Sequence, residues 1–108
     1  MEVIYISGPM TGYPNFNREA FVKAEMCLIG KGKEVVSPSL VEQDDEGQTW
    51  KPLQGKYSYY LKIALQKMLR CNAIVMLDGW QDSKGARVER YLAEALGYKI
   101  YENVDDVG

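Results

Sequence analysis

Short apolar runs alternate with stretches of helical periodicity along the chain. Runs rich in β-branched and aromatic residues predict four strands, at residues 2–7, 33–37, 73–77 and 98–101. Apolar residues spaced three and four apart predict helices over 17–29, over 57–71 and after Lys84. The apolar positions that define the first and last of these helices are Phe21, Ala24 and Leu28, and Val88, Leu92, Ala95 and Leu96.

Strands that alternate with helices predict an α/β domain over residues 1–108, a flavodoxin-like or Rossmann-like three-layer sandwich around a parallel sheet of four to five strands. We expect the strand order 2-1-3-4. Ligands of such sheets bind beyond the carboxyl ends of the strands, where the order reverses. This topology brings the loops after Ser7 and after Leu77 to the two sides of one crevice.

Two segments lack periodicity. Residues 38–56 are polar and acidic and contain Trp50, and a connection of that length in a small domain predicts a lid, with disorder as the alternative interpretation. The tail, residues 102–108, is expected to fray.

Composition restricts the chemistry. The 108 residues carry 13 Lys plus Arg against 15 Asp plus Glu, and they include no His, which excludes Ser-His-Asp triads and His-ligated zinc. Cys27 and Cys71 are expected to be small buried side chains. A net charge of −2 without a basic cluster argues against duplex nucleic acid, and the absence of a long apolar run argues against a membrane. We expect a cytoplasmic protein whose chemistry depends on carboxylates, hydroxyls and backbone groups.

The first candidate site is the loop after the first strand. It reads Ser7, Gly8, Pro9, Met10, Thr11, Gly12, and a helix start follows close behind. Glycines allow a ligand to approach the backbone, and free N–H groups at a helix start favour an anion. The same residues also suit a tight turn, and only the position at the reversal of strand order favours a binding site.

The second candidate site begins where the third strand ends. Asp78 and Trp80 lie in the loop, Ser83 is a candidate N-cap, and the small Gly85 and Ala86 leave room for a ligand over the helix start. Glu89 follows in the second turn and could attack a sugar anomeric carbon. The alternative interpretation is a solvated helix with mixed charges.

The two segments together resemble a small phage and bacterial family related to the nucleoside 2-deoxyribosyltransferases. The resemblance covers nearly the whole chain and rests on two motifs. The first is Tyr5-Ile6-Ser7-Gly8-Pro9-Met10-Thr11-Gly12, with Asn15 and Phe21 behind it. The second is Gly79-Trp80, then Ser83, Gly85, Ala86 and Glu89, followed by Ala93 and Gly97.

The resemblance implies a flavodoxin-like fold that binds a nucleoside or nucleotide. It implies that Glu89 is the nucleophile at C1′ of a deoxyribose, that Ser7 to Gly12, Ser83 and Gly85 contact sugar or phosphate, and that the protein is a homo-oligomer without metal or organic cofactor. The chain departs from its relatives at Ala64 and Asn72, where catalytic members carry Asp. An enzyme of N-glycosidic bonds and a nucleotide-binding protein without turnover are therefore both open, with a purely structural role as a third alternative.

Overall fold

The computed structural model describes residues 2–10, 13–38 and 57–108. These residues form four strands and three α-helices in strict alternation. In chain order the elements are β1 (Val3–Ser7), α1 (Arg18–Gly30), β2 (Glu34–Val36), α2 (Tyr57–Met68), β3 (Ala73–Met76), α3 (Lys84–Ala95) and β4 (Lys99–Tyr101). The predicted lid, apart from Pro38, lies outside the described residues.

The strands form one parallel sheet in the order β2-β1-β3-β4. Ser7, the last residue of β1, pairs with Met76, the last residue of β3. The predicted order is therefore confirmed, and the reversal lies at β1, which has β2 on one side and β3 on the other.

Alternate residues of β1 pack into two separate apolar layers. Ile4 and Ile6 face α1, whereas Tyr5 faces α2 and α3. The layers that result on the two faces of the sheet make a three-layer sandwich compatible with the flavodoxin-like arrangement. Buried side chains of the α1 layer are Ile4, Ile6, Phe21, Ala24, Leu28, Ala73, Val75, Leu77 and Val107, and those of the other layer are Tyr5, Met68, Cys71, Ile74, Met76, Ala86 and Ala93.

Helix α3 presents a face to the sheet that differs from the one the apolar pattern indicates. Its buried residues are Ala86, Glu89 and Ala93, while Leu96, which the pattern included, is exposed. Two alanines at positions i−3 and i+4 from Glu89 let the helix approach the strands closely, and this spacing brings a carboxylate inside. Hydrophobicity alone cannot find a face on which the central residue is charged.

The end of the chain is ordered, contrary to the expected fraying. Val104–Asp106 form a short 3-10 helix, and Val107 is buried beneath α1. The ammonium group of Lys31 donates to the carbonyl oxygens of Val104 and Val107, at 3.4 and 2.8 Å. One buried apolar side chain and one cation therefore attach the tail to α1.

The two cysteines differ. Cys71 is buried as predicted, but Cys27 is exposed because it lies on the outer face of α1. None of the helices in the described ranges is long and apolar enough to span a membrane.

Candidate functional site

The loops after β1 and β3 meet at the carboxyl edge of the sheet. The amide of Leu77 donates to the carbonyl of Ser7 at 2.8 Å. A Cβ atom on Gly8 would lie 2.7 Å from the Cβ of Leu77, closer than nonbonded carbons approach. Gly8 is therefore required by the packing of the two loops.

Further contacts join the two loops to each other and to the start of α1. Gly79 has a positive φ of 86°, and a side chain there would meet the hydroxyl of Tyr13 at 2.7 Å. The side-chain amide of Asn17 donates from Nδ2 to the carbonyl oxygen of Pro9 at 2.9 Å and so links the first loop to the start of α1. The two predicted loops thus lie side by side, as the topology requires.

Glu89 lies directly below this edge, between α3 and β1. Its side chain is buried, with 5% of its surface exposed. The hydroxyl of Tyr5 donates to Oε2 at 2.7 Å, and the hydroxyl of Ser7 donates to Oε1 at 2.6 Å. Each carboxylate oxygen therefore has one hydroxyl donor, which fixes the orientation of the group.

The environment raises the pKa of Glu89 to about 7. Burial is the main cause because it disfavours the charged form, while the hydrogen bonds from Ser7 and Tyr5 oppose it and lower the pKa. Burial, together with the adjacent carboxylate, raises the pKa of Tyr5 well above its ordinary value. At neutral pH, Glu89 therefore exchanges a proton readily, whereas Tyr5 remains a hydrogen-bond donor.

The N-terminus of α3 borders the same region. Ser83 is the N-cap, as predicted, and its Oγ accepts from the amide of Ala86 at 3.2 Å. Ala86 packs in the same apolar layer as Tyr5. Gly85, half-buried in the first turn, adds no side chain to this part of the helix.

The other predicted site residues are more dispersed. Met10 packs in the α1 layer, away from Glu89, and Asp78 is exposed at the end of β3. Trp80 packs in the α2/α3 layer, and the guanidinium of Arg90 lies 4.8 Å from the centre of its ring. One face of the indole is thus occupied by a cation. Thr11 and Gly12 lie outside the described residues, as does Trp50.

Tyr5 also belongs to the site, because its hydroxyl donates to Glu89, although the apolar pattern predicts only a buried strand residue there. The signal was available, because residues two apart on a strand face the same side and Ser7 was already a candidate. Tyr5 was instead interpreted as one aromatic residue of a buried strand. A tyrosine in a fully buried strand needs a partner for its hydroxyl, and a carboxylate elsewhere in the chain can supply it.

The structure also places Asn72 and Ala64, the two positions at which the sequence departs from the motifs it resembles. Asn72 precedes β3 at the amino end of the sheet, where its Oδ1 accepts from the amide of Val3 at 2.8 Å. Val3 and Ser7 are four residues apart on one strand, a distance of about 13 Å. A carboxylate at position 72 would therefore not contact a ligand beside Glu89. Ala64 is half-buried in α2 and offers no exchangeable proton.

In the described part of the chain, no three His, Cys, Asp or Glu side chains lie close enough together to hold a metal ion. The acidic residues of the segment 38–56, which include Asp44, Asp45 and Glu46, lie outside the described residues.

Comparison with known families shows the family of the chain. Residues 2–102 match the DUF4406 family, described as a domain of unknown function, and the chain therefore belongs to that family. No curated protein matches the chain.

Proposed function

We propose that this member of the DUF4406 family cleaves or transfers the N-glycosidic bond of a 2′-deoxynucleoside or its 5′-monophosphate, with Glu89 as the nucleophile. The observation that carries the proposal is the buried carboxylate of Glu89, whose two oxygens accept from Tyr5 and Ser7. Perturbed carboxyl groups beside the carboxyl ends of parallel strands are typical of catalytic sites. The two sequence motifs that resemble nucleoside 2-deoxyribosyltransferases contain these same three residues.

The reaction has two steps. An oxygen of Glu89 attacks C1′ as the bond from C1′ to the base nitrogen breaks, and the electron pair goes to the base, which takes up a proton. Water, or the nitrogen of a second base, then attacks C1′ and loses a proton. The ester bond to Glu89 breaks and the carboxylate is regenerated. Two displacements at one carbon retain its configuration.

Tyr5 and Ser7 act in this scheme as positioning residues. Their hydroxyls hold the carboxylate at one orientation and stabilise its charged form against the cost of burial. In this proposal Ser7 to Gly12, with Ser83 and Gly85, contact the sugar or phosphate of the substrate, as the resemblance implies, and Asp78, Trp80 and Ala86 are the further candidate contacts. The scheme uses no metal or cofactor, because Glu89 supplies the nucleophile.

A second candidate function is the binding of a nucleotide without turnover. It is favoured by Ala64, which cannot protonate a departing base, and by the small exposed fraction of Glu89. A further expectation from the resemblance, that of a homo-oligomer, is independent of which function holds.

The test is incubation of the purified chain with each common deoxynucleoside and deoxynucleoside monophosphate, with chromatography for released base. Mass spectrometry of the quenched protein detects a deoxyribosyl ester on Glu89. Release of base that is lost in Glu89→Gln and retained in Glu19→Gln, an exposed carboxyl on α1, supports the enzyme. Calorimetric binding of an intact nucleotide without release supports the second candidate. If the chain neither releases base nor binds a nucleotide, both candidate functions are excluded.

A further inference from the structure

The residue that precedes α1 has an unusual backbone conformation. Asn17 ends a short 3-10 helix, Pro14–Asn17, and has φ 63° and ψ 24°, in the left-handed region. Among the described residues other than glycine, none besides Asn17 has a positive φ. Such conformations are disfavoured for residues with a Cβ atom, and those that persist cluster at functional sites. Asn17 is therefore a candidate for a role beyond the start of the helix.

Asn17 also lacks the hydrogen bond that is typical of its position. An asparagine at an N-cap usually has an extended backbone, and its side-chain oxygen accepts from an amide of the first helical turn. In the described structure, the Asn17 side chain makes no such bond to α1. Its Nδ2 instead donates to the carbonyl oxygen of Pro9 at 2.9 Å. The side chain of Asn17 therefore holds the first loop and does not cap the helix.

Pro9 lies where the first loop contacts the second. A Cβ atom on Gly79 would lie 3.3 Å from Cγ of Pro9 and 2.7 Å from the hydroxyl oxygen of Tyr13. Both side chains of the first loop therefore lie directly against the backbone of Gly79. The amide of Tyr13 donates to the carbonyl of Met10 at 3.2 Å, which links Tyr13 to the residue that follows Pro9. A displacement of Pro9 would therefore change how the two loops meet.

We propose that Asn17 is a positioning residue that holds Pro9 against Gly79 and so sets the spacing of the two loops of the site. The inference rests on the proposed function, because it assigns this spacing to the binding of a nucleoside or nucleotide. Glu89 is held separately, by hydroxyl groups on β1. Loss of the Asn17 bond is therefore expected to weaken substrate binding and to leave the ionisation of Glu89 unchanged.

Two substitutions separate the hydrogen bond from the backbone conformation. Asn17→Gly adopts a positive φ without strain but has no donor for Pro9. Asn17→Asp has nearly the same shape and also tolerates the left-handed region, but its carboxylate cannot donate and repels the carbonyl oxygen. A negative charge at this position favours the start of α1. Asn103→Asp is the matched control, because the amide of Asp105 needs only an acceptor oxygen there.

Hydrogen exchange of the ligand-free protein, measured by NMR, reports on the first loop without any substrate. In both Asn17 variants the amide of Tyr13 is expected to exchange at least about fivefold faster than in the wild type. The amide of Leu77, which donates to Ser7 ahead of the loop, is expected to exchange at the wild-type rate. An unchanged rate for Tyr13 in both variants overturns the proposal.

The split between KM and kcat is the readout that a merely structural role would not produce. With the common deoxynucleoside 5′-monophosphates as probes, both Asn17 variants are expected to raise KM for base release about fivefold and to keep kcat within about twofold. The titration midpoint of Glu89 is expected to stay at the wild-type value. A lower kcat at unchanged KM, or a displaced midpoint, overturns the proposal.

The experiment also separates this proposal from the proposed catalysis. If the wild type binds a monophosphate without turnover, the calorimetric Kd takes the place of KM, with the same expected change of about fivefold. If the wild type neither binds nor cleaves any probe, the proposed function fails and the role of Asn17 in binding fails with it. The exchange rate of Tyr13 then still shows whether Asn17 holds the loop.

Discussion

The hydroxyl of Tyr5 donates to Oε2 of Glu89 across 2.7 Å, although 84 positions separate the two residues in the chain. Both groups are buried, so water does not compete for the bond. The carboxylate would otherwise lose its solvation without compensation, which is costly. This bond and its counterpart from Ser7 make a buried charge at position 89 tolerable.

Removal of the phenol hydroxyl is expected to raise the pKa of Glu89. In Tyr5→Phe the charged form loses one donor while burial still penalises it, so the titration midpoint moves above about 7. Carbon-13 NMR of the Glu89 carboxyl carbon measures this midpoint. Under the proposed mechanism, the pH at which base release reaches half its maximum moves upward by the same amount, since the nucleophile must be ionised.

Tyr101→Phe is the matched control for that variant. It also removes a tyrosine hydroxyl that donates to a carboxylate, but the acceptor is Glu2 rather than Glu89. Its Glu89 midpoint should equal that of the wild type. An unchanged midpoint in Tyr5→Phe would mean that the hydrogen bond does not govern the ionisation of Glu89.

The pH dependence of stability provides a prediction that needs no substrate. Folding raises the pKa of Glu89 from its ordinary value of 4.5 to about 7, so the folded state binds the proton more tightly than the unfolded state. The contribution of Glu89 to stability is therefore complete below about 4.5 and is lost as pH rises through about 7, by roughly 3 kcal/mol. Glu89→Gln has no proton to lose and should not show this loss.

Urea unfolding of wild type and Glu89→Gln at a series of pH values measures the difference. The advantage of the variant should grow from pH 5 to pH 8, whereas the exposed Glu19→Gln should follow the wild type. Parallel curves for wild type and Glu89→Gln would contradict a raised pKa in the folded state.

The sequence predicts the fold closely and the site only in part, for physical reasons that particular residues illustrate. The parallel sheet follows from the alternation of strands and helices. Ser83 has a local signature because an N-cap needs only its own hydroxyl and a nearby amide. Tyr5 was missed because its role depends on a residue 84 positions away. The buried face of α3 was misassigned because its centre is the charged Glu89. Burial of that charge depends on donors from another element.

The resemblance suggests that Asn72 replaces a catalytic Asp, but the position of Asn72 in the sheet argues against a catalytic role there. Asn72 directly precedes β3, so in a parallel sheet it lies at the amino end, opposite to Ser7, and its contact with the amide of Val3 agrees with that. We therefore predict that Asn72→Asp leaves nucleotide binding and any base release unchanged within about twofold. Calorimetry and the base-release assay measure this.

Asn72→Ala is the comparison for stability. It removes the acceptor for the amide of Val3 and should lower the free energy of unfolding by about 1 kcal/mol. Asn72→Asp retains an acceptor oxygen at that position. A large gain in base release on Asn72→Asp would show that position 72 does reach the substrate and would contradict the geometry described above.

The close approach of the two loops makes Gly8 a sensitive position. In Gly8→Ala the new methyl group would lie 2.7 Å from the Cβ of Leu77, and that atom cannot move without the backbone of β3 moving with it. Overpacking of this kind costs about 1–3 kcal/mol, which thermal or urea unfolding measures. Gly30→Ala is the matched control, because nothing lies within 4 Å of its added methyl group. Gly30 is the last residue of α1, and alanine has a higher helix propensity than glycine. The control should be neutral or slightly stabilising. Equal effects of the two changes would show that Gly8 has room for a side chain, and the glycine would then be explained by a ligand that approaches the loop.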